Sequence, residues 1–315
     1  MKKLKKNNNE IYLLLFKKMN HNTNICYEVE KCENLENILT QCDTEVDYVI
    51  DLVFTRYLYS KEQVNHSLFI SLLEHDYKQA LFWGYELYYS GFQKETMEFL
   101  LSIYEKLYNN LQTEDFSKFI NQKHNDWLLD NSLDKNLGII IWNIAMRNYN
   151  INPFIENYFS VKCYENVIPQ KKSFLRIIDF DIEKYKTYEG KNVLKKSCLY
   201  SIHNNLDELF KTSYSDITEQ YRLHWLYYSY DCPLWKCRIH KLSGKKNEIN
   251  KKVEFDDSDK EEEFYKLYNY EPDEQTLELQ QKCIGNSCIK QLSIKEFSIK
   301  YGGNIKCKKI TKQSR

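Results

Sequence analysis

Residues 74–92, EHDYKQALFWGYELYYSGF, hold the densest run of aromatic side chains in the chain, and their spacing sets its fold class. Asp76 is a residue type that caps helix N-termini by accepting a backbone N–H, and Gly91 is the type that ends helices in the left-handed conformation. A helix over 77–90 is expected. At 100° per residue, Lys78, Gln79, Phe82, Glu86, Tyr89 and Ser90 fall within one sector of roughly 120°. The rest of the circumference is apolar or small. Ala80 and Gly84, one turn apart, make a shallow strip that another helix can approach closely. The next segment, KETMEFLLSIYEKLY (94–108), carries a regular stripe of Met97, Leu100, Leu101, Tyr104, Leu107 and Tyr108. It is the expected partner, joined through the short Gly91–Phe92 connection as an αα-hairpin. Phe82 and Tyr89 project from the polar sector. Either a third helix of the same domain covers them, which is the expected case, or they are candidate interface residues that anchor a partner.

Working outward, helical periodicity recurs. EVDYVIDLVFTRYLYS (45–60) aligns Val46, Val49, Ile50, Val53, Phe54 and Tyr57, and further helices are expected over 113–129, 134–149, 153–159 and 215–231. Gly (8) and Pro (4) are too scarce for an all-β fold with many tight turns. Two β-hairpins interrupt the helical pattern. EIYLLLFKK and NICYEVEK flank the turn-like MNHNT near the N-terminus. LWKCRIHKLSGKKNEINKKVEF alternates Trp235, Cys237 and Ile239, turns near Ser243–Gly244 and returns through Val253 and Phe255. The expected fold is mainly α: multi-helix globular packing with α-hairpins plus two small β-hairpin elements. Its parts are a β-like segment (1–33), a helical core (34–160), a seam (161–175), a second helical part with a hairpin near 234–255 (176–285), and a basic tail (286–315). The tail holds eight Lys or Arg from position 290 onward against one Glu.

With 45 Lys+Arg against 45 Asp+Glu in 315 residues, the chain has no global charge to draw it toward nucleic acid or membrane, so either would need a local patch. The ten cysteines are scattered, without the dense framework of a small disulfide-stapled domain, which fits free thiols in a reducing cytoplasmic setting. The apolar runs Ile11–Phe16 and 137–146 are too short to span a bilayer, and the first lacks a cleavage site. No membrane association is expected.

Phosphate-binding loops, dinucleotide fingerprints and nucleophile elbows are missing from the sequence, and no cofactor or catalytic residue is nominated. Cys232, Cys237 and His240, with His224 as a fourth ligand, make the best metal candidate. Their spacing is C-x4-C-x2-H with Pro233 inside the first loop, unlike the tight knuckles that hold two thiolates at tetrahedral angles. Strand alternation would also send Cys237 and His240 to opposite faces. Buried thiols beside a surface histidine are therefore expected instead of a metal site. Cys283 and Cys288 repeat the four-residue spacing. Lys245, Lys246, Lys251 and Lys252 cluster at the second hairpin as candidate phosphate contacts, and the tail adds Lys306, Lys308, Lys309 and Lys312. Arginine, the usual bidentate reader of phosphate and guanine, is scarce, so a solvated hairpin tip is the expected state of these lysines.

The stretches SLLEHDYKQALFWGYELYYSGF (71–92), DCPLWKCRIHKLSGKK (231–246) and EEEFYKLYNYEPDEQTLELQQK (261–282) resemble an uncharacterised protein family of giant nucleocytoplasmic large DNA viruses, over roughly residues 45–285. That resemblance implies a host cytoplasm, virus-factory or virion setting and brings no activity with it. HSLFISLLEHDYKQALFWGYELYYSGF (66–92) is also similar to a helical hairpin of bacterial replication-associated clamp-loader ATPases, whose phosphate-binding loops this chain lacks. The functional expectation is a non-enzymatic scaffold or protein-interaction module. The alternative is a nucleic-acid-associated accessory factor in viral replication or transcription, acting through the lysine-rich hairpin and tail.

Overall fold

Two helices, α1 (Lys61–Leu73) and α2 (Tyr77–Tyr89), form an αα-hairpin through a three-residue turn in which His75 takes a positive φ of 57°. The Asp76 side chain accepts from Gln79 N at 3.0 Å and starts α2 as a cap should. Gly91 ends it at φ 99°, where any Cβ would press against Pro233. Three helices follow: α3 (Gln93–Ile103), which runs on into a π turn at Tyr104–Tyr108, α4 (Glu114–Leu129), capped by Thr113, and α5 (Asp134–Ala145). The computed structural model describes residues 52–153, 162–164, 173–186, 217–269, 271–272, 275–284, 294–302 and 304–306. The expected N-terminal hairpin lies outside them, as do most of 153–159 and most of the seam at 161–175.

The partner expected for α2 is corrected. Helix α2 packs most extensively on α1, then on α5, and only lightly on α3. The strip at Gly84 receives Ile141 of α5, whose Cδ1 occupies the space a Cβ would need, with Leu68 of α1 at its edge. Helix α5 takes this central place because Leu137, Ile140, Ile141, Ile144 and Ala145 are all buried.

A second correction concerns 45–60, read above as a helix. Its described part, 52–60, is a tight loop closed by a bridge between Phe54 and Ser60 and by Thr55 N–H donating to Tyr59 O at 2.8 Å. Leu58 sits at φ 61°. The loop is held on the polar sector of α2. Arg56 Nε donates to Glu86 Oε2 at 2.9 Å, Tyr57 N to Glu86 Oε1 at 3.2 Å, and Arg56 N to Ser90 Oγ at 2.9 Å. The same guanidinium donates to Tyr185 O at 2.7 Å, at the last turn of α6 (Asp179–Lys186). A buried charge is tolerable only when paired and hydrogen-bonded on every side, and a loop can supply these contacts where a helix stripe cannot.

The C-terminal half contains α7 (Thr218–Leu223), α8 (Trp225–Ser229), α9 (Pro233–Lys241), α10 (Ser258–Tyr268), α11 (Leu277–Ile284) and α12 (Ile294–Tyr301). The helix expected over 215–231 is kinked at His224, which has φ −129°. Trp235, Cys237 and Ile239 are not a strand. They lie on α9, where Pro233 occupies the first turn, Trp235 and Ile239 are buried one turn apart, and Cys237 faces out. Two short antiparallel pairs supply the described β structure. Lys162–Tyr164 (β1) pairs with Asn304–Lys306 (β4), and Lys245–Asn247 (β2) pairs with Lys252–Glu254 (β3). The protein is mainly α-helical with small β elements.

Candidate interaction site

The hairpin β2–β3 and the helices beside it gather most of the residues singled out by the sequence. Its turn is built by Asn247, whose Oδ1 accepts the N–H groups of Ile249 at 2.9 Å and Asn250 at 3.1 Å, the geometry of an Asx turn. Lys251 closes it at φ 49°. The register sets Lys245 opposite Glu254, Lys246 opposite Val253, and Asn247 opposite Lys252. Val253 is buried and fixes the hairpin's inner side, while Ile249 at the tip is 93% exposed. At the base Gly244 lies so close to Ile239 and Phe255 that a Cβ would come within 2.6 Å and 2.9 Å of them.

Lys246 departs from the solvated-tip expectation. Its Nζ lies 2.8 Å from Asp231 Oδ2 and 3.4 Å from Glu248 Oε1, and sits over the rings of Tyr227 at 4.6 Å and Tyr230 at 5.9 Å. Only 19% of the side chain is exposed. Partial burial pulls its pKa down, but the hydrogen bonds and charges of Asp231 and Glu248 outweigh this and hold it above the usual lysine range. The Tyr227 hydroxyl donates to Glu248, which lowers the carboxyl pKa and raises that of the phenol. Tyr230 Oη and His240 Nε2 share a hydrogen bond at 2.7 Å, and His224 Nδ1 donates to Lys251 O at 3.0 Å. Lys246, both rings, both carboxylates and His240 thus form one connected surface.

The remaining lysines differ from Lys246. Lys245 pairs with Asp256 at 3.3 Å in the open, while Lys251 and Lys252 are exposed and make no ion pair with a described residue. The four metal candidates are dispersed: Cys232 is buried with Sγ donating to Ser90 O at 3.2 Å, Cys237 is exposed, and His240 and His224 face the partners just given. Among the described residues no group of three or more His, Cys, Asp or Glu side chains could hold a metal ion. Phe82 is buried, edge-on to Tyr59 and Trp83, and Tyr89 donates to Asp134 Oδ2 at 2.6 Å beneath the Arg56 guanidinium. Tyr59 of the 52–60 loop packs on Phe82, while half-buried Tyr89 lies between Arg56 of that loop and Asp134 of α5, the third helix. Sequence reasoning did not single out Arg56, Glu86, Tyr227, Tyr230 or Asp231. For the last three, the run YYSYD (227–231) beside a lysine-rich hairpin was the available signal.

The chain matches no family model, no curated protein and no solved structure. Among the described residues no helix is long and apolar enough to cross a membrane.

Proposed function

We propose that the protein is a non-enzymatic intracellular scaffold or protein-interaction module, and that hairpin β2–β3 is a surface it offers to a protein partner. The observation that carries this reading is Ile249, a large apolar side chain at full exposure on a turn whose backbone is fixed by Asn247. A rigid, projecting apolar residue ringed by charge has the makings of an interface anchor. The charge around it is mixed. Lys245 and Lys246 are already matched by Asp256, Asp231 and Glu248, and Glu254 lies across the register, which favours a protein surface over a phosphate backbone. The thiols of Cys232, Cys237 and Cys283 are free, in keeping with a reducing compartment, and a viral setting follows the resemblance described above.

The test compares complexes recovered from expressing cells by the wild-type protein and by Ile249→Asp. A specific partner should be depleted at least about tenfold in the variant, as for a hot-spot residue, with melting temperature unchanged because the side chain is in solvent. Identical recovery would remove the hairpin from the interface. Binding to DNA or RNA that falls steeply with salt and weakens in Lys251→Gln/Lys252→Gln would instead establish the accessory-factor reading.

A further inference from the structure

The ammonium of Lys246 has two ring faces and two carboxylates around it. Tyr227, Tyr230 and Asp231 come from α8 and the turn after it, and Glu248 from the hairpin tip. The rings present the negative faces of their quadrupoles, and the carboxylates supply full charge and hydrogen-bond acceptors. The two rings are held without help from the occupant, since Tyr227 is tied to Glu248 and Tyr230 to His240, while Asp231 pairs with the ammonium itself. Lys236 lies 5.5 Å from the Tyr230 ring and adds a further cation beside the two acids.

We propose that Tyr227, Tyr230, Asp231 and Glu248 form a binding site for alkylammonium groups that Lys246 occupies in cis, and that a lysine side chain of a protein partner displaces it. Displacement requires no unfolding. The hairpin backbone is held by its own register and by buried Val253, whereas Lys246 reaches the cage on a flexible four-carbon stem that is part-exposed. Side-chain rotation alone opens the site. While Lys246 is in place it reduces the apparent affinity for any competing ammonium by the fraction of time the cage is closed. The site therefore has a built-in threshold: isolated amines are excluded, and a lysine delivered by an otherwise docked partner, at high local concentration, is admitted.

The identity of the partner rests on the interaction-module reading, but the cage can be tested by itself with n-butylammonium, which reproduces the end of a lysine side chain. Tyrosine ring signals in NMR spectra should shift saturably with n-butylammonium in Lys246→Ala. The wild type should bind at least about tenfold more weakly, and Lys246→Ala/Tyr227→Leu should lose the response. The neutral isostere n-butanol should not bind. If Lys246→Ala proves unstable, n-butylammonium should raise its melting temperature and n-butanol should not. A folded Lys246→Ala without saturable binding, equal binding by the wild type, or equal binding of n-butanol would each overturn the proposal. Such a failure would leave the Ile249 experiment untouched, and failure of that experiment would leave the cage standing.

Discussion

Glu62 lies in the first turn of α1, where acidic residues suit the helix dipole, yet burial raises its pKa from 4.5 to about 7. His66 Nε2, one turn on, is 3.8 Å from its carboxylate. Between pH 4.5 and about 7 the folded chain retains a proton that the unfolded chain has released. The resulting stability is complete below pH 4.5 and is lost as pH rises through about 7. Glu62→Gln has no such proton to lose. Above pH 7 it should exceed the wild type by up to about 3 kcal/mol, and the gain should vanish below pH 4.5. Urea unfolding of both proteins at pH 4 and pH 8 checks this, and a gain independent of pH would assign the effect to packing. Arg56 and Glu86 show what single residues conceal. They stand 30 positions apart, each in an ordinary setting: an arginine in an apolar run and a glutamate on the polar sector of a helix. A polar sector has the same sequence pattern whether it meets water or a buried partner, so their pairing could not be read from either segment.

Helix ends were the most legible elements because a cap is made within three or four residues. Asp76 and Gly91 bound α2 as the sequence indicates, and α10 likewise starts on an acidic cap, Asp257, accepting from Lys260 N at 2.8 Å. Segment 233–241 admits either period because Trp235 and Ile239 are compatible with both: four residues apart is one helical turn and also two strand repeats. Cys237 alone distinguishes them, and a cysteine sits as readily inside as outside. Pro233 just after a β-region Cys232 was the better signal. Which helix meets Gly84 was not legible at all, since chain proximity favours α3 while the more apolar α5 takes the contact. Gly84→Leu should destabilise by about 1–3 kcal/mol through overpacking against Ile141 and Leu68. Adding Ile141→Ala should recover part of that loss, because the two sites share one space. An unchanged melting temperature in Gly84→Leu, or strict additivity in the pair, would show that α5 does not close on the strip.

Across the whole chain, distant segments are fastened to the 52–60 loop and the end of α2. Trp235 Nε1 donates to Thr55 O at 3.2 Å, Phe54 N to Tyr228 O at 3.1 Å, and Leu234 N to Ser90 O at 3.1 Å. The lysines of the candidate site could be picked by residue type, but the different fate of Lys246 depends on where α8 lies beside the hairpin, which no local pattern fixes. Two thiols report on this long-range assembly. Cys232 Sγ donates to Ser90 O, and Cys283 Sγ to Tyr57 O at 3.3 Å, bridging 142 and 226 positions. Burial pushes their pKa values up to about 11 and about 12. At pH 8 both should be protonated, shielded and inert to an alkylating reagent, while exposed Cys237 reacts quickly. If the C-terminal elements and the loop unfold as one, peptide-resolved labelling along a urea series should expose Cys232 and Cys283 at a common midpoint, coincident with the tryptophan fluorescence transition. Labelling of Cys283 well before Cys232 would instead place α11 in a separately opening unit, leaving α9 and the loop to hold the core between them.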